Sequence, residues 1–186
     1  MNGALGDRIL ALAQELGALQ YGSFTLSSGQ ESGYYFDGRL LTLHPEGAHL
    51  VSQALLPLVL ESGAVAVGGP TLGADPIIGA LVYASQVQGR PLRGFLVRGA
   101  AKDHGTGRLI EGPLEPGSPV AVLDDVCSTG GSLFHAIAAA EGHGCRVVKV
   151  LAILDRRQGG GEELRARGYD FTPLLTAGPD GSVGVA

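Results

Sequence analysis

At Val120-Ala-Val-Leu-Asp-Asp-Val-Cys-Ser-Thr-Gly-Gly-Ser132 an apolar run ends in two carboxylates and then passes through a turn of small residues into a helical pattern. Backbone N–H groups of Ser128, Thr129, Gly130 and Gly131 can approach an anion closely there, and the positive end of the following helix faces the same spot. Together they form a cradle for a monophosphate. Asp124 and Asp125 stand roughly a sugar's length away, as acceptors for vicinal hydroxyls. For a Gly-Gly pair alone, a plain tight turn with solvated or helix-capping acids is the better reading, because short glycine motifs recur by chance. Neither G-x-G-x-x-G nor G-x-x-x-x-G-K-[ST] is present, which argues against a dinucleotide site or a P-loop.

A second group lies in Arg98-Gly-Ala-Ala-Lys-Asp-His-Gly-Thr-Gly-Arg-Leu-Ile-Glu-Gly112, where Arg98, Lys102, His104 and Arg108 are concentrated between two strand patterns. By composition alone this is a solvated surface loop.

These residues need a scaffold, and the chain alternates in the way that supplies one. Leu5, Ile9, Leu12, Leu16 and Leu19 recur at helical spacing, so the first twenty residues read as an amphipathic helix. From Phe24 to Arg39, turn residues mixed with short β-prone pieces suggest a small hood or flap. The pattern from Pro45 predicts a helix to about Glu61, a strand Ala64 to Val67, a helix Asp75 to Val87 and a strand Arg93 to Val97. After the polar loop come strand Val120 to Leu123, helix Gly131 to Glu141, strand Arg146 to Leu154, a short helix near Glu162 to Arg167 and a strand near Phe171 to Leu175. Repeated β-α-β implies an α/β domain with a mainly parallel sheet flanked by helices. Ligands then sit beyond the carboxyl ends of the strands, in the loops after Val67, Val97, Leu123 and Leu154. The Gly-rich tail from Ala177 to Ala186 reads as loose.

Composition narrows the class. Apolar residues make up 45% of the 186 and aromatics 5%, so the core rests on aliphatic side chains. Two cysteines, Cys127 and Cys145, show neither a disulfide framework nor metal spacing. No apolar run reaches the ~20 residues of a membrane helix. Asp7, Arg8 and Glu15 interrupt the stretch where a signal peptide would be apolar, so a cytoplasmic protein with no membrane partner is expected. A net charge of -5 gives no general attraction to nucleic acid.

The Val120 to Ser132 pattern resembles the phosphoribosyl pyrophosphate signature of the type I phosphoribosyltransferases. Lys-Asp-His-Gly, beginning at Lys102, looks like the catalytic loop of the orotate phosphoribosyltransferases within that group. Phe24-Thr-Leu-Ser-Ser-Gly with Tyr34-Tyr-Phe-Asp37 resembles their N-terminal hood, and Leu154-Asp-Arg156 the strand end whose arginine binds the orotate carboxylate. Gly68-Gly-Pro-Thr-Leu-Gly-Ala-Asp75 matches their pyrophosphate-loop region, although a strand-to-helix turn capped by Asp75 would look the same. The motifs follow the family order from Phe24 to Arg156.

The resemblance implies a type I phosphoribosyltransferase fold in one domain over residues 1–186, with a hood at about 20–40 and a core at about 45–175. It implies transfer of a phosphoribosyl group to orotate in pyrimidine synthesis. Asp124 and Asp125 would hold the ribose hydroxyls, and Val126, Cys127, Ser128, Thr129, Gly130, Gly131 and Ser132 would surround the 5-phosphate. Arg98, Lys102 and His104 would meet the pyrophosphate, with Lys102 and His104 catalytic. Orotate would contact backbone at Tyr35 and Phe36, together with Ser128 and Arg156. Mg²⁺ would arrive with the substrate and take no direct protein ligand. The family also implies a homodimer whose loop reaches into the neighbouring site. Many members carry lysine where this chain has Ser27, Gly73 and Gly99. Alternative readings are transfer to a purine or another base, a nucleotide-sensing regulator on the same fold, and a nucleotide-binding α/β protein without this chemistry.

Overall fold

The computed structural model describes residues 3–25, 31–100 and 109–186. Helix α1 (Gly3–Glu15) buries Ile9, Leu12 and Ala13, one turn apart on a single face. It stops at Gly17, whose φ of 67° lies in the left-handed region that glycine enters without cost. Leu19, which the helical periodicity includes, is therefore the first residue of strand β1 (Leu19–Thr25). Strand β1 pairs antiparallel with β2 (Glu31–Phe36), and these two strands are the hood. In β2 the residues alternate, with Tyr34 and Phe36 buried and Tyr35 outward, as a one-sided strand requires.

Short helix α2 (Gly38–Thr42) is capped by Asp37, which accepts from Arg39 N. Helix α3 (Pro45–Glu61), strand β3 (Ala66–Pro70), helix α4 (Asp75–Val87) and strand β4 (Arg93–Val97) follow. A short β5 (Ile110–Glu111) precedes β6 (Pro119–Cys127), α5 (Gly131–Gly142), β7 (Arg146–Asp155), α6 (Gly160–Ala166), β8 (Phe171–Ala177) and β9 (Val183–Val185). The sheet order is β5-β4-β3-β6-β7-β8-β9, with parallel pairing among the five inner strands and antiparallel pairing at both edges.

Each inner strand feeds two cores by alternation. Ala121 and Leu123 of β6, with Leu151 and Ile153 of β7, face α1, α3 and α4. Val120 and Val122, with Val150 and Ala152, face α5 and α6. Such continuous apolar strands are what a parallel sheet covered on both faces needs.

Two expectations change. The loose tail is instead an edge hairpin: β9 pairs with β8, and Val183, only 6% exposed, donates its N–H to Tyr21 Oη of the hood at 3.1 Å. Alternating Val183 and Val185, after a turn at Gly181, give this segment a face to bury. Asp75 does not cap α4, because the N-cap is Ala74 and no side-chain bond is made there. Among the described residues, no helix is long and apolar enough to cross a membrane.

Candidate functional site

Strand β6 continues past Leu123, so the acid pair belongs to its last turn of ladder rather than to the loop. Asp124, 6% exposed, accepts from Ser132 Oγ at 2.6 Å and from Asp125 N at 2.9 Å. The Ser132 hydroxyl is thus engaged with an acid, leaving its backbone N–H for a phosphate. Asp125 is flanked by two glycines, Gly38 of α2 and Gly73 of the β3–α4 turn. A Cβ on Gly38 would lie 2.7 Å from Asp125 Cβ, and one on Gly73 would collide with the Asp125 carboxylate. Burial in low dielectric pushes both acids up, Asp124 to about 7, with the Asp125 charge adding to the rise of Asp124; the Ser132 bond on Asp124, and on Asp125 the interaction with Asp124, the Val126 backbone and the Arg39 charge, work the other way.

The loop after β6 is shaped by its own backbone. Gly130, with φ 83°, is the N-cap of α5, and the first helical bond runs from Phe134 N to Gly130 O at 2.8 Å. Thr129 is exposed and Ser128 half-buried. The N–H groups of the first turn of α5 have no partner within the helix and point to where an anion would sit. Gly160 supports the loop from outside: its N–H donates to Ser128 O at 3.0 Å, and a Cβ there would come within 2.5 Å of Gly130 N. Val126 is half-buried in the core. Cys127 is fully buried with its thiol pushed up to about 12 by burial, so only its backbone can serve a ligand.

On the neighbouring strand, β6–β7 pairing sets Cys127 beside Asp155, and Arg156 N donates to Cys127 O at 2.8 Å. Arg156 therefore stands next to Ser128. Its Nε donates to Tyr34 Oη and its Nη2 to Ser32 Oγ, each at 3.1 Å, with the guanidinium 4.8 Å from the Tyr34 ring centroid. The hood thus orients the arginine. Tyr35 rests on Phe24 at 5.8 Å, and both Tyr35 and Phe36 line a cavity of about 290 Å³ with Asp37, Arg39, Leu72, Gly73 and Asp125.

The β3–α4 turn enters this cavity through Leu72 and Gly73, and its Thr71–Leu72 peptide is cis. Gly73 has no room for a lysine while Asp125 holds its position, whereas Gly99 faces open space. Arg98 closes β4: its N–H bonds Leu109 O, its Nη1 lies 3.4 Å from Glu111, and its carbonyl meets His135 Nε2 of α5 at 2.8 Å. Lys102, His104 and Ser27 lie outside the described residues.

The structure thus brings Asp124, Asp125, the 128–132 loop, Arg156, Tyr35 and Phe36 to one end of the sheet. Sequence reasoning missed Ser32, Tyr34, Arg39, Gly160 and His135. The alternation Ser32, Tyr34, Phe36 could have marked one inward face of β2; Gly160 had no local signal beyond a Gly-Gly-Gly run. Among the described residues, no cluster of three or more His, Cys, Asp or Glu is arranged to hold a metal. Chemically, the site offers a phosphate cradle, acceptors for a diol, an oriented guanidinium for a planar anion, and an adjoining cavity.

No family model matches the chain. It is 43% identical over 173 residues to the orotate phosphoribosyltransferase of Rhodopirellula baltica, covering 90% of each chain. It is 45% identical over 152 residues to that of Aquifex aeolicus, covering 82% of this chain and 83% of the relative. Among solved structures, it superposes on Mycobacterium tuberculosis orotate phosphoribosyltransferase in complex with Fe(III) dicitrate with a TM-score of 0.81 at 37% identity, covering 92% of this chain and 96% of that one. The complex of the M. tuberculosis enzyme with 5-phospho-alpha-D-ribosyl 1-diphosphate gives 0.76 at 32% identity, covering 95% and 91%.

Proposed function

This chain belongs to the orotate phosphoribosyltransferase family, and from that premise we propose how its residues join orotate to the ribose of phosphoribosyl pyrophosphate, giving orotidine 5'-monophosphate and pyrophosphate. One observation carries the assignment of roles: the phosphate cradle and the oriented Arg156 stand at the ends of adjacent strands, β6 and β7. Strands so paired lie about 4.8 Å apart. A nucleotide with its phosphate on the 128–132 loop and its base at Arg156 spans that arrangement.

In this reading the loop N–H groups and the α5 terminus hold the 5-phosphate, and Asp124 and Asp125 accept from the ribose hydroxyls. Arg156 presents a planar fork to the orotate carboxylate, with Tyr34 and Ser32 fixing its plane, while Tyr35 and Phe36 offer backbone to the ring. As the bond to pyrophosphate breaks, the ribose becomes cationic and negative charge grows on the leaving group. Arg98, Lys102 and His104 answer that charge. Mg²⁺ would come with the substrate, without a direct protein ligand, and would neutralise phosphate charge.

A homodimer is part of the same proposal. Tyr83 and Val87 on α4 are 73% and 68% exposed beside a groove of about 370 Å³ between α3 and α4, apolar surface that a second copy would cover. A cytoplasmic location fits the two free, buried cysteines.

The test is pyrophosphate release with Mg²⁺ and a panel of bases. Orotate should be used, and uracil, adenine and hypoxanthine, which lack its carboxylate, should not. Equal use of adenine or uracil would overturn the orotate role of Arg156.

A further inference from the structure

Beyond the phosphate cradle, the cavity of about 290 Å³ is lined by residues of the hood, of α2 and its cap, of the β3–α4 turn and by Asp125, and by no residue of the 128–132 loop. It reaches the acid pair through Asp125. Its lining carries two acids, Asp37 and Asp125, and one cation, Arg39. Of the other described arginines at the site, Arg156 is bonded to the hood hydroxyls and Arg98, 3.4 Å from Glu111, does not line this cavity.

Arg39 is built to be held still. Its Nε donates to Asp37 Oδ1 at 2.9 Å, its Nη2 to Asp37 Oδ2 at 3.0 Å, and its own backbone N–H caps onto Oδ1 at 3.1 Å. Three donors on one carboxylate fix the plane of the guanidinium, and among the described residues nothing accepts from Nη1. With 49% of its side chain exposed, Arg39 gains little from burial. A preorganised fork with one free edge, at a cavity beside two carboxylates, suits an oxyanion that brings its own charge.

Resting on the phosphoribosyl reading above, we propose that Arg39 is a substrate-binding residue that takes the diphosphate of phosphoribosyl pyrophosphate, and the pyrophosphate released from it, on the free edge of its guanidinium. The ribose then lies between two anion sites, the backbone loop for the 5-phosphate and Arg39 for the diphosphate. It also gives Gly73 a reason: Asp125 fills the space a side chain would need there, and the fixed cation comes from α2.

The experiment titrates wild-type protein, Arg39→Met and Arg39→Lys with inorganic pyrophosphate plus Mg²⁺, and separately with ribose 5-phosphate. Arg39→Met should weaken pyrophosphate binding about tenfold or more, the scale of one hydrogen bond to a charged group, and leave ribose 5-phosphate within about twofold. Arg39→Lys, which keeps the charge without the fork, should fall between Met and wild type. Wild-type protein that does not bind ribose 5-phosphate would overturn the phosphoribosyl reading itself. If wild type binds ribose 5-phosphate, the inference alone is overturned by any of four results: no pyrophosphate binding in wild type, unchanged pyrophosphate affinity in Arg39→Met, equal loss of both ligands in that variant, or a lysine variant no better than methionine.

Discussion

The side of the site proposed to take phosphate is made of backbone from one short segment, whereas the side proposed to take the base is made of side chains that meet across the length of the chain. Residues 127–132 turn, cap α5 and expose N–H groups without help from any long side chain, and Gly160 touches them only through main chain. Arg156, by contrast, depends on Tyr34 and Ser32, 122 and 124 residues away. A backbone cradle recognises any phosphate. Oriented side chains discriminate, because the loss of one hydroxyl or one guanidinium changes which base fits. In the proposed reading the generic half of the substrate meets the strand-loop-helix unit, and the distinctive half meets a hood that is a separate two-stranded sheet.

The largest effect expected from breaking this comparison lies at the seam between the halves. Asp124→Ala with Asp125→Ala removes two charged acceptors at about 1.5–3 kcal/mol each, so phosphoribosyl pyrophosphate affinity should fall about 100-fold or more. Calorimetric titration checks this, with circular dichroism to verify the fold; undiminished affinity in a folded double variant would mean the acids do not hold the ribose.

A smaller effect is expected on the base side alone. Arg156→Ala should cost about 1.5–3 kcal/mol in orotate binding, roughly ten- to hundredfold, and leave phosphoribosyl pyrophosphate affinity nearly unchanged. If both ligands weaken together, the two halves are not independent and the comparison fails.

The smallest effect concerns stability without substrate. In the folded chain Asp124 keeps its proton up to about 7, while an unfolded aspartate releases it near about 3.9. Between those values the folded state binds more protons, so this group's contribution to stability is full in acid and is lost as pH rises through the folded value. Asp124→Asn should therefore flatten the fall in melting temperature between pH 5 and pH 8. An unchanged slope would show that Asp124 does not carry that proton.

The same contrast explains what the sequence made legible. The cradle is contiguous, so Asp124, Asp125 and the loop could be read from one run of thirteen residues, and apolar strands buried on both faces made the sheet readable too. Arg156 could be placed at a strand end, but its partners could not, since nothing local to residue 156 points to Ser32 or Tyr34. Leu19 fell on the wrong side of a boundary because leucine suits a helix or a strand, and the glycine at 17 decides between them. The tail was misread because its glycines outweighed Val183 and Val185, whose pairing partner is a strand edge that exists only after folding. Gly73 looked like a lost cation; only the position of Asp125 turns it into a space already taken.

Between the two halves runs the turn from Arg156 to Gly160. It is fastened at both ends, by Arg156 N to Cys127 O at 2.8 Å and by Gly160 N to Ser128 O at 3.0 Å. Surface turns usually absorb added or deleted residues at little cost. This one spans two fixed attachments, at Cys127 and Ser128, so its length is set by the gap between them. Side chains there are free to vary where they face water. The number of residues is not, because an extra one would have to bulge outward or break one of the two bonds that hold Arg156 and Gly160 against the loop.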